Sequence, residues 1–447
     1  MPRLAIVSTY NENCGNASYT HVLRNAFAEH VDVEVLPIDI FLLQKRADSF
    51  RAAADRHIED LAKRLEDFDF VNIQFEAGLY GARIPDVLRR ITRLIEAAPN
   101  LILTMHRIDT GNLPLGRALR DSFVLRSLRP LTKRSGGRKY ASMYRSIVAV
   151  CRRQAREKNV WIKVHTRRER RVVTEILKFE NCFDYPLAFL TEAERLDAAQ
   201  YDDRAAFLKK HNFDEKDIVI GLFGYISEYK GIETAIKCLG ELPDNYKLAI
   251  FGSHHPQSIQ AHRQIHPYIE SLLDVMEDVD DKSYSEAIKE ARLKRLSKAP
   301  ISIHNGDKVK HQEVHVPASL RERVRFVGTM PDAEFIEALR LADAAVLPYI
   351  EVGQSMSGVV VLGMEAGARI VAANNLSFGE TRRYYGDAFH GFDIGNYVEL
   401  AQKIELCLAQ PERARFIGPR EHAFEKYNIR NSALIQLDKF GYRMAVN

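Results

Sequence analysis

The sequence predicts an α/β protein of two doubly wound, Rossmann-like domains, each a parallel sheet flanked by helices. Three observations carry this. At 447 residues the chain exceeds what one ordinary core holds, so two domains are the default. Short apolar runs alternate with helical patterns from the first residues onward, which is how a parallel sheet reads. Residues 340–373 show the unit most clearly. Ala344 to Tyr349 reads as a buried strand, and a loop of small residues follows (Gly353, Gln354, Ser355, Ser357, Gly358). Val359 to Ala366 reads as a buried helix ending at Gly367, and Ile370 to Ala373 as the next strand. Such a loop leaves backbone N–H groups at a helix N-terminus, where anions bind, and Ser355 and Ser357 add hydroxyl donors.

In chain order, Leu4 to Ser8 reads as the first strand, 10–18 as a polar loop and Tyr19 to about Glu29 as a helix. Val31 to Ile38 is a strand, Ser49 to Leu65 an amphipathic helix, Phe70 to Phe75 a strand, Pro85 to Ala98 a helix. Leu101 to Met105 is a strand that ends in His106. Pro130 is expected to end a helix, and Tyr140, Tyr144, Ile147, Val148 and Cys151 form an apolar stripe at helical spacing. Val160 to His165 resumes the strand series, and 186–216 reads as the link between halves. Strands at 217–224, 247–251 and 324–327 lead into or end on Gly224, Gly252 and Gly328, where backbone turns sharply or approaches something closely. Between the last two, Pro256 to Asp274 and Ser283 to Ser297 read as helices of an insertion, 253–320. The reading is thus an N-terminal domain over 1–200 with a basic helical insertion at 107–160, a C-terminal domain over 201–430, and a closing helix within 431–447.

Composition is that of a globular protein, 46% hydrophobic and 28% charged. Residues 107–171 hold 19 Lys and Arg against 4 Asp and Glu, a net of +15, which leaves −11 for the rest of a chain whose net charge is +4. That asymmetry marks one basic face, suited to an anionic membrane surface or an anionic acceptor. No nucleic-acid motif accompanies it, so no nucleic-acid partner is expected. The five cysteines are scattered, with no CxxC, which points to a reducing compartment. MPRLAIVST runs straight into a strand without a leader pattern, and no apolar run reaches the ~20 residues of a membrane span. A cytoplasmic protein, peripheral on the inner membrane face, is the expectation. Seven histidines fall in 253–320, and His262 and His266 lie one helical turn apart. Without a His-Glu-x-x-His pattern or a carboxylate to orient the imidazoles, no metal site is expected.

The motifs in order resemble retaining GT-B glycosyltransferases of family 4. Gly224-Tyr225-Ile226-Ser227-Glu228-Tyr229-Lys230-Gly231 echoes the family's glycine, basic residue, lysine-glycine pattern. Ile250-Phe251-Gly252 and Val324-Arg325-Phe326-Val327-Gly328 follow at family positions, as does 338–348. Gly15-Asn16-Ala17-Ser18-Tyr19 resembles the N-terminal glycine loop, and Thr104-Met105-His106 the strand-end histidine. The resemblance implies a nucleoside-diphosphate sugar as co-substrate, no cofactor, and a glycan, lipid-linked or polysaccharide acceptor. The nucleotide side would comprise Gly15, Asn16, Gly224, Tyr225, Lys230, Gly252, Val327, Gly328, Gln354, Ser355, Met356, Ser357 and Gly358. His106, Lys230 and Glu365 would be catalytic, Lys230 as the diphosphate cation and Glu365 on the ribose; Glu76 and Gln74 are acceptor-side candidates.

Two positions depart from the pattern. The basic residue after Gly224 is Tyr225. The paired glutamates are broken: if Glu365 is the second, the first falls at Ser357; if Gly367 sets the register, the pair falls at Gln354 and Leu362. Two other readings therefore stay open: a nucleotide-sugar epimerase of the same shape, and a non-catalytic nucleotide-binding partner protein.

Overall fold

The computed structural model describes residues 1–12, 14–108, 129–254, 265–297, 319–409 and 414–442. The first half builds a six-stranded sheet from β1 (Arg3–Ser8), β2 (Asp32–Pro37), β3 (Phe70–Phe75), β4 (Leu101–Met105), β5 (Val160–Val164) and β6 (Cys182–Asp184). Its strand order is β2-β1-β3-β4-β5-β6. The second sheet holds β7 (Ile218–Phe223), β8 (Tyr246–Phe251), β9 (Val324–Gly328), β10 (Ala344–Leu347), β11 (Ile370–Ala373) and β12 (His390–Phe392), in the order β12-β11-β10-β7-β8-β9. Pairing between strands is parallel in both. Helices cover both faces, so β3 and β4 are buried at every residue, and they read as largely apolar, with Asn72, Gln74 and Thr104 as buried polar exceptions.

Both strand orders reverse once. The first sheet reverses between β1 and β3, the second between β7 and β10. In doubly wound sheets, ligands bind outside the carboxyl ends of the strands at such reversals.

Several local expectations shift. The first helix begins at Gly15, not Tyr19, because the Cys14 thiol caps it by accepting from the Ala17 N–H at 3.4 Å. Gly15 and Asn16 therefore stand in a helical first turn. Pro130 does not end a helix; it is the second residue of the helix Arg129–Gln154, where its missing N–H is not needed. Met143, Tyr144, Ile147, Val148 and Cys151 of that helix are buried, so the described part of the basic stretch is the crossover from β4 to β5. Its residues 109–128 lie outside the described residues. Among the described residues between β8 and β9, one long helix, Pro267–Ser297, runs through the break expected at 275–282, and the one-turn helix Leu320–Arg323 precedes β9. Of the seven histidines there, His254 and His266 are described, with ring centroids 4.1 Å apart; His262 lies outside the described residues. Among the described residues, no group of three or more His, Cys, Asp and Glu side chains could hold a metal. No described helix is long and apolar enough to cross a membrane.

The link between halves is packed. Tyr185, Leu187, Ala188, Phe189 and Leu190 are all buried, and the short helices Glu192–Ala199 and Arg204–Lys210 follow. The helix Ile429–Lys439 returns to the first sheet. Gln436 Oε1 accepts from Asn72 Nδ2 at 2.6 Å, Ser432 Oγ accepts from Lys163 at 2.9 Å, and Phe440 stacks on Phe70 at 4.8 Å.

Candidate functional site

The carboxyl ends of β7 and β10 meet around Lys230. This lysine lies in the one-turn helix Glu228–Lys230 and is only 4% exposed. Its ammonium donates to the Phe223 carbonyl at 3.3 Å and to the Tyr349 hydroxyl. It also sits over the Tyr349 ring at 4.2 Å and the Tyr229 ring at 5.3 Å. Among the described residues no carboxylate pairs with it. Burial therefore lowers Lys230 to about 7. Gly224 has φ +93, and a Cβ there would stand 3.1 Å from the Lys230 Nζ. A side chain at 224 would crowd the ammonium, so the glycine leaves an approach to it. A Cβ on Gly252 would come 2.1 Å from the Gly224 carbonyl oxygen, so the end of β8 presses directly on the end of β7. Val327 and Gly328 end β9, on the far side of β8 from this point.

The loop before the helix Gly358–Glu365 faces the first half of the molecule. Arg107 donates to the Val352 carbonyl at 3.0 Å, Arg168 to the Gln354 carbonyl at 3.2 Å, and Ser355 Oγ to Glu169 at 2.6 Å. Met356 Sδ accepts from the Leu187 N–H at 3.3 Å, and Ser357 hydrogen-bonds the Tyr349 hydroxyl. A Cβ on Gly358 would lie 3.0 Å from the Phe189 ring. The loop is thus seated on the link and on β4–β5, and Ser355 and Ser357 already hold protein partners.

Glu365 is placed differently from its expected role. Its two carboxylate oxygens accept from the Phe189 N–H, both at 3.1 Å, and one also from the Leu190 N–H at 3.2 Å. Burial pushes this carboxyl up to about 8, with those N–H groups pulling the other way. The side chain ties the link to the second half, which replaces both its ribose-holding and its catalytic assignment with a structural one.

On the first half, half-buried Asn16 donates to exposed Glu76 at 3.0 Å across the β1–β3 reversal. Gly15 has open space where a Cβ would stand. His106 follows β4; its Nε2 meets Gln74 at 2.8 Å and its Nδ1 meets His165 Nε2 at 3.1 Å. Burial first, then the charge of Lys163, push His106 down to about 3, so the imidazole is neutral. Gln74 is fully buried and donates to Asn72, which donates to Gln436. That burial corrects its acceptor-side assignment. Across the gap, Tyr225 lies near Glu12 and Cys14, Tyr229 near Glu76, and Ser18 donates to Asp332 at 3.4 Å. The structure brings Gly15, Asn16, Glu76, Tyr225 and Lys230 to one cleft. It sets Gln74 and Glu365 into packed interior.

Sequence reasoning missed Arg107, Arg168, Glu169 and Tyr349. Tyr349 had a signal, a hydroxyl at the end of an apolar strand. The arginines sat inside a stretch whose charge masked them individually.

No family model matches this sequence, and no curated protein matches it. Solved structures do resemble it over nearly its whole length. The sucrose-phosphate synthase of Thermosynechococcus elongatus is 15% identical, with 99% of this chain and 98% of that one covered and a TM-score of 0.62. A glycosyltransferase from Rickettsia africae is 10% identical, covers 98% of each chain and has a TM-score of 0.61. HepE of Anabaena, in complex with UDP-glucose, is 12% identical, with 98% of this chain and 100% of that one covered and a TM-score of 0.57. The fold is GT-B. A GT-B fold sets two doubly wound sheets across a cleft, which here runs between the β1–β3 and β7–β10 reversals.

Proposed function

We propose that this chain is a retaining, metal-independent glycosyltransferase. It would move a sugar from a nucleoside diphosphate to a glycan, lipid-linked or polysaccharide acceptor. The observation that carries this reading is Lys230: a buried ammonium with no carboxylate partner among the described residues, at the sheet reversal, approached past a glycine. A buried cation that lacks a counter-ion and lies at the cleft can be met by an anion. In the transfer, the bond from the anomeric carbon to the diphosphate breaks and the acceptor hydroxyl oxygen bonds that carbon. The hydroxyl proton passes to the departing diphosphate. Lys230 and the N–H groups at the start of Gly358–Glu365 offset the charge that develops there, which leaves no task for a metal. Neutral His106, its ring nitrogens held by Gln74 and His165, would line the sugar's side of the cleft from the other half. Glu76 stands at the acceptor side.

A second reading, a non-catalytic nucleotide-binding partner, is favoured by one observation. With Glu365 tied to the link, neither register supplies a carboxylate for the ribose, since Gln354 and Leu362 are uncharged.

HepE was solved with UDP-glucose, so UDP leads a thermal-shift panel with GDP, ADP, CMP and dTDP. A ligand at 100 times its Kd stabilises by about 2.7 kcal/mol. One nucleotide should raise Tm of the native chain and leave Lys230→Ala unmoved. No shift with any of them would defeat the donor-site reading. Binding with no hydrolysis or transfer would select the non-catalytic reading. For location, we propose a cytoplasmic protein that attaches peripherally to the inner membrane face through 107–171, whose net charge is +15. Co-sedimentation with vesicles rich in anionic lipid is expected; absence of co-sedimentation at low salt would contradict it.

A further inference from the structure

The geometry points to Arg107 and Arg168 as the cations that complete the diphosphate site, supplied from the opposite half of the molecule. The inference rests on the donor-site reading above. In the second half Lys230 stands at the site, and position 225, after Gly224, is a tyrosine and not a cation. A diphosphate carries more charge than one ammonium offsets. Arg107 leaves the carboxyl end of β4 directly after His106, and Arg168 lies just beyond β5. These strands are parallel neighbours, so both side chains enter the cleft from the same edge.

Both guanidiniums converge on one loop. Arg107 Nη2 donates to the Val352 carbonyl and lies 3.7 Å from where a Cβ on Gly353 would stand; Arg168 Nη2 donates to the Gln354 carbonyl. This is the loop that leads to the helix N-terminus at Gly358. Glu169, the carboxylate beside Arg168, is buried; its Oε2 accepts from both Ser355 and Thr166, and the Ile108 backbone adds a further bond. Arg168 also holds that carboxyl down, against the burial that raises it. A guanidinium has five N–H donors in a planar fork, and a bond to a charged oxygen is about twice as strong as one to a neutral carbonyl. The carbonyls of Val352 and Gln354 therefore hold the arginines at the loop, and a diphosphate there is the better acceptor. Because the cations cross from the other half, charge neutralisation requires the cleft to be closed at this loop.

The test is calorimetric titration of the full chain with UDP and, separately, UMP. Arg107→Gln and Arg168→Gln should each weaken UDP by roughly 10-fold or more, the loss expected for a charge-assisted bond, while UMP changes little. The preference for UDP over UMP should collapse in the double variant. Urea midpoints of the variants confirm that they fold. Undiminished UDP binding would overturn the inference and leave the donor site standing. Equal weakening of UDP and UMP would also overturn it, since the arginines would then merely hold the loop. A native chain that binds no UDP, GDP or ADP would remove the donor site, and this inference with it.

Discussion

Among the described residues each half buries one lysine whose environment lowers it to about 7, and the two are built for different ends. Lys163, in β5, is fully buried. It donates to the Tyr19 hydroxyl at 2.7 Å and to Ser432 at 2.9 Å, under the returning C-terminal helix. Everything around it is protein. Lys230 has one carbonyl, one hydroxyl and two aromatic faces, and on its remaining side a glycine. Burial explains the lowered ammonium in both. What separates the two is position: Lys230 lies at the β7–β10 reversal beside Gly224, and Lys163 lies under the C-terminal helix. A depressed lysine by itself marks no site.

That contrast can be broken by mutation. Lys163→Ala should cost about 3 kcal/mol, within the range for truncating a large buried side chain, and leave the nucleotide-induced rise in Tm intact. Urea unfolding with and without UDP measures both. A lost nucleotide response would mean that the two lysines are not different in kind. Next in size, Glu365→Ala should cost about 2 kcal/mol, because the N–H groups of Phe189 and Leu190 lose their buried acceptor. UDP affinity should hold; a matching loss of affinity would restore the ribose role to Glu365. The pH dependence sharpens the comparison further. Lys230 is charged below about 7 and neutral above it, so UDP binding should be full at pH 6 and weaken as pH rises past 7. The limit is about 1.4 kcal/mol per pH unit. The smallest effect is Glu76→Ala, expected within about 0.5 kcal/mol of native stability because its bond to Asn16 is exposed.

The parallel sheets were legible because buried strands read as largely apolar runs, and the strands Phe70–Phe75 and Leu101–Met105 have the expected bounds. Lys230 and Gly224 stand out through the resemblance of 224–231 to a family motif. Contacts across the cleft were not. The Arg107 bond to Val352 spans 245 positions, and no local pattern encodes such a pairing. Glu365 shows the same limit. Its place on a helix before a glycine fits a ligand role and a structural role equally, and the choice depends on where the link between halves passes. The start of the first helix was missed for a local reason: a cysteine cap lacks the Ser, Thr, Asp or Asn that usually announces one.

The central claim is that Lys230 meets the diphosphate as a titrating cation. UDP titrated into the native chain at pH 8, in two buffers of different ionisation enthalpy, reads the protons taken up on binding. Lys230, largely neutral at that pH, should be recharged by the bound diphosphate, so uptake should approach about one proton per UDP. Lys163→Ala should keep that uptake. UDP binding at pH 8 with no proton uptake would contradict the account.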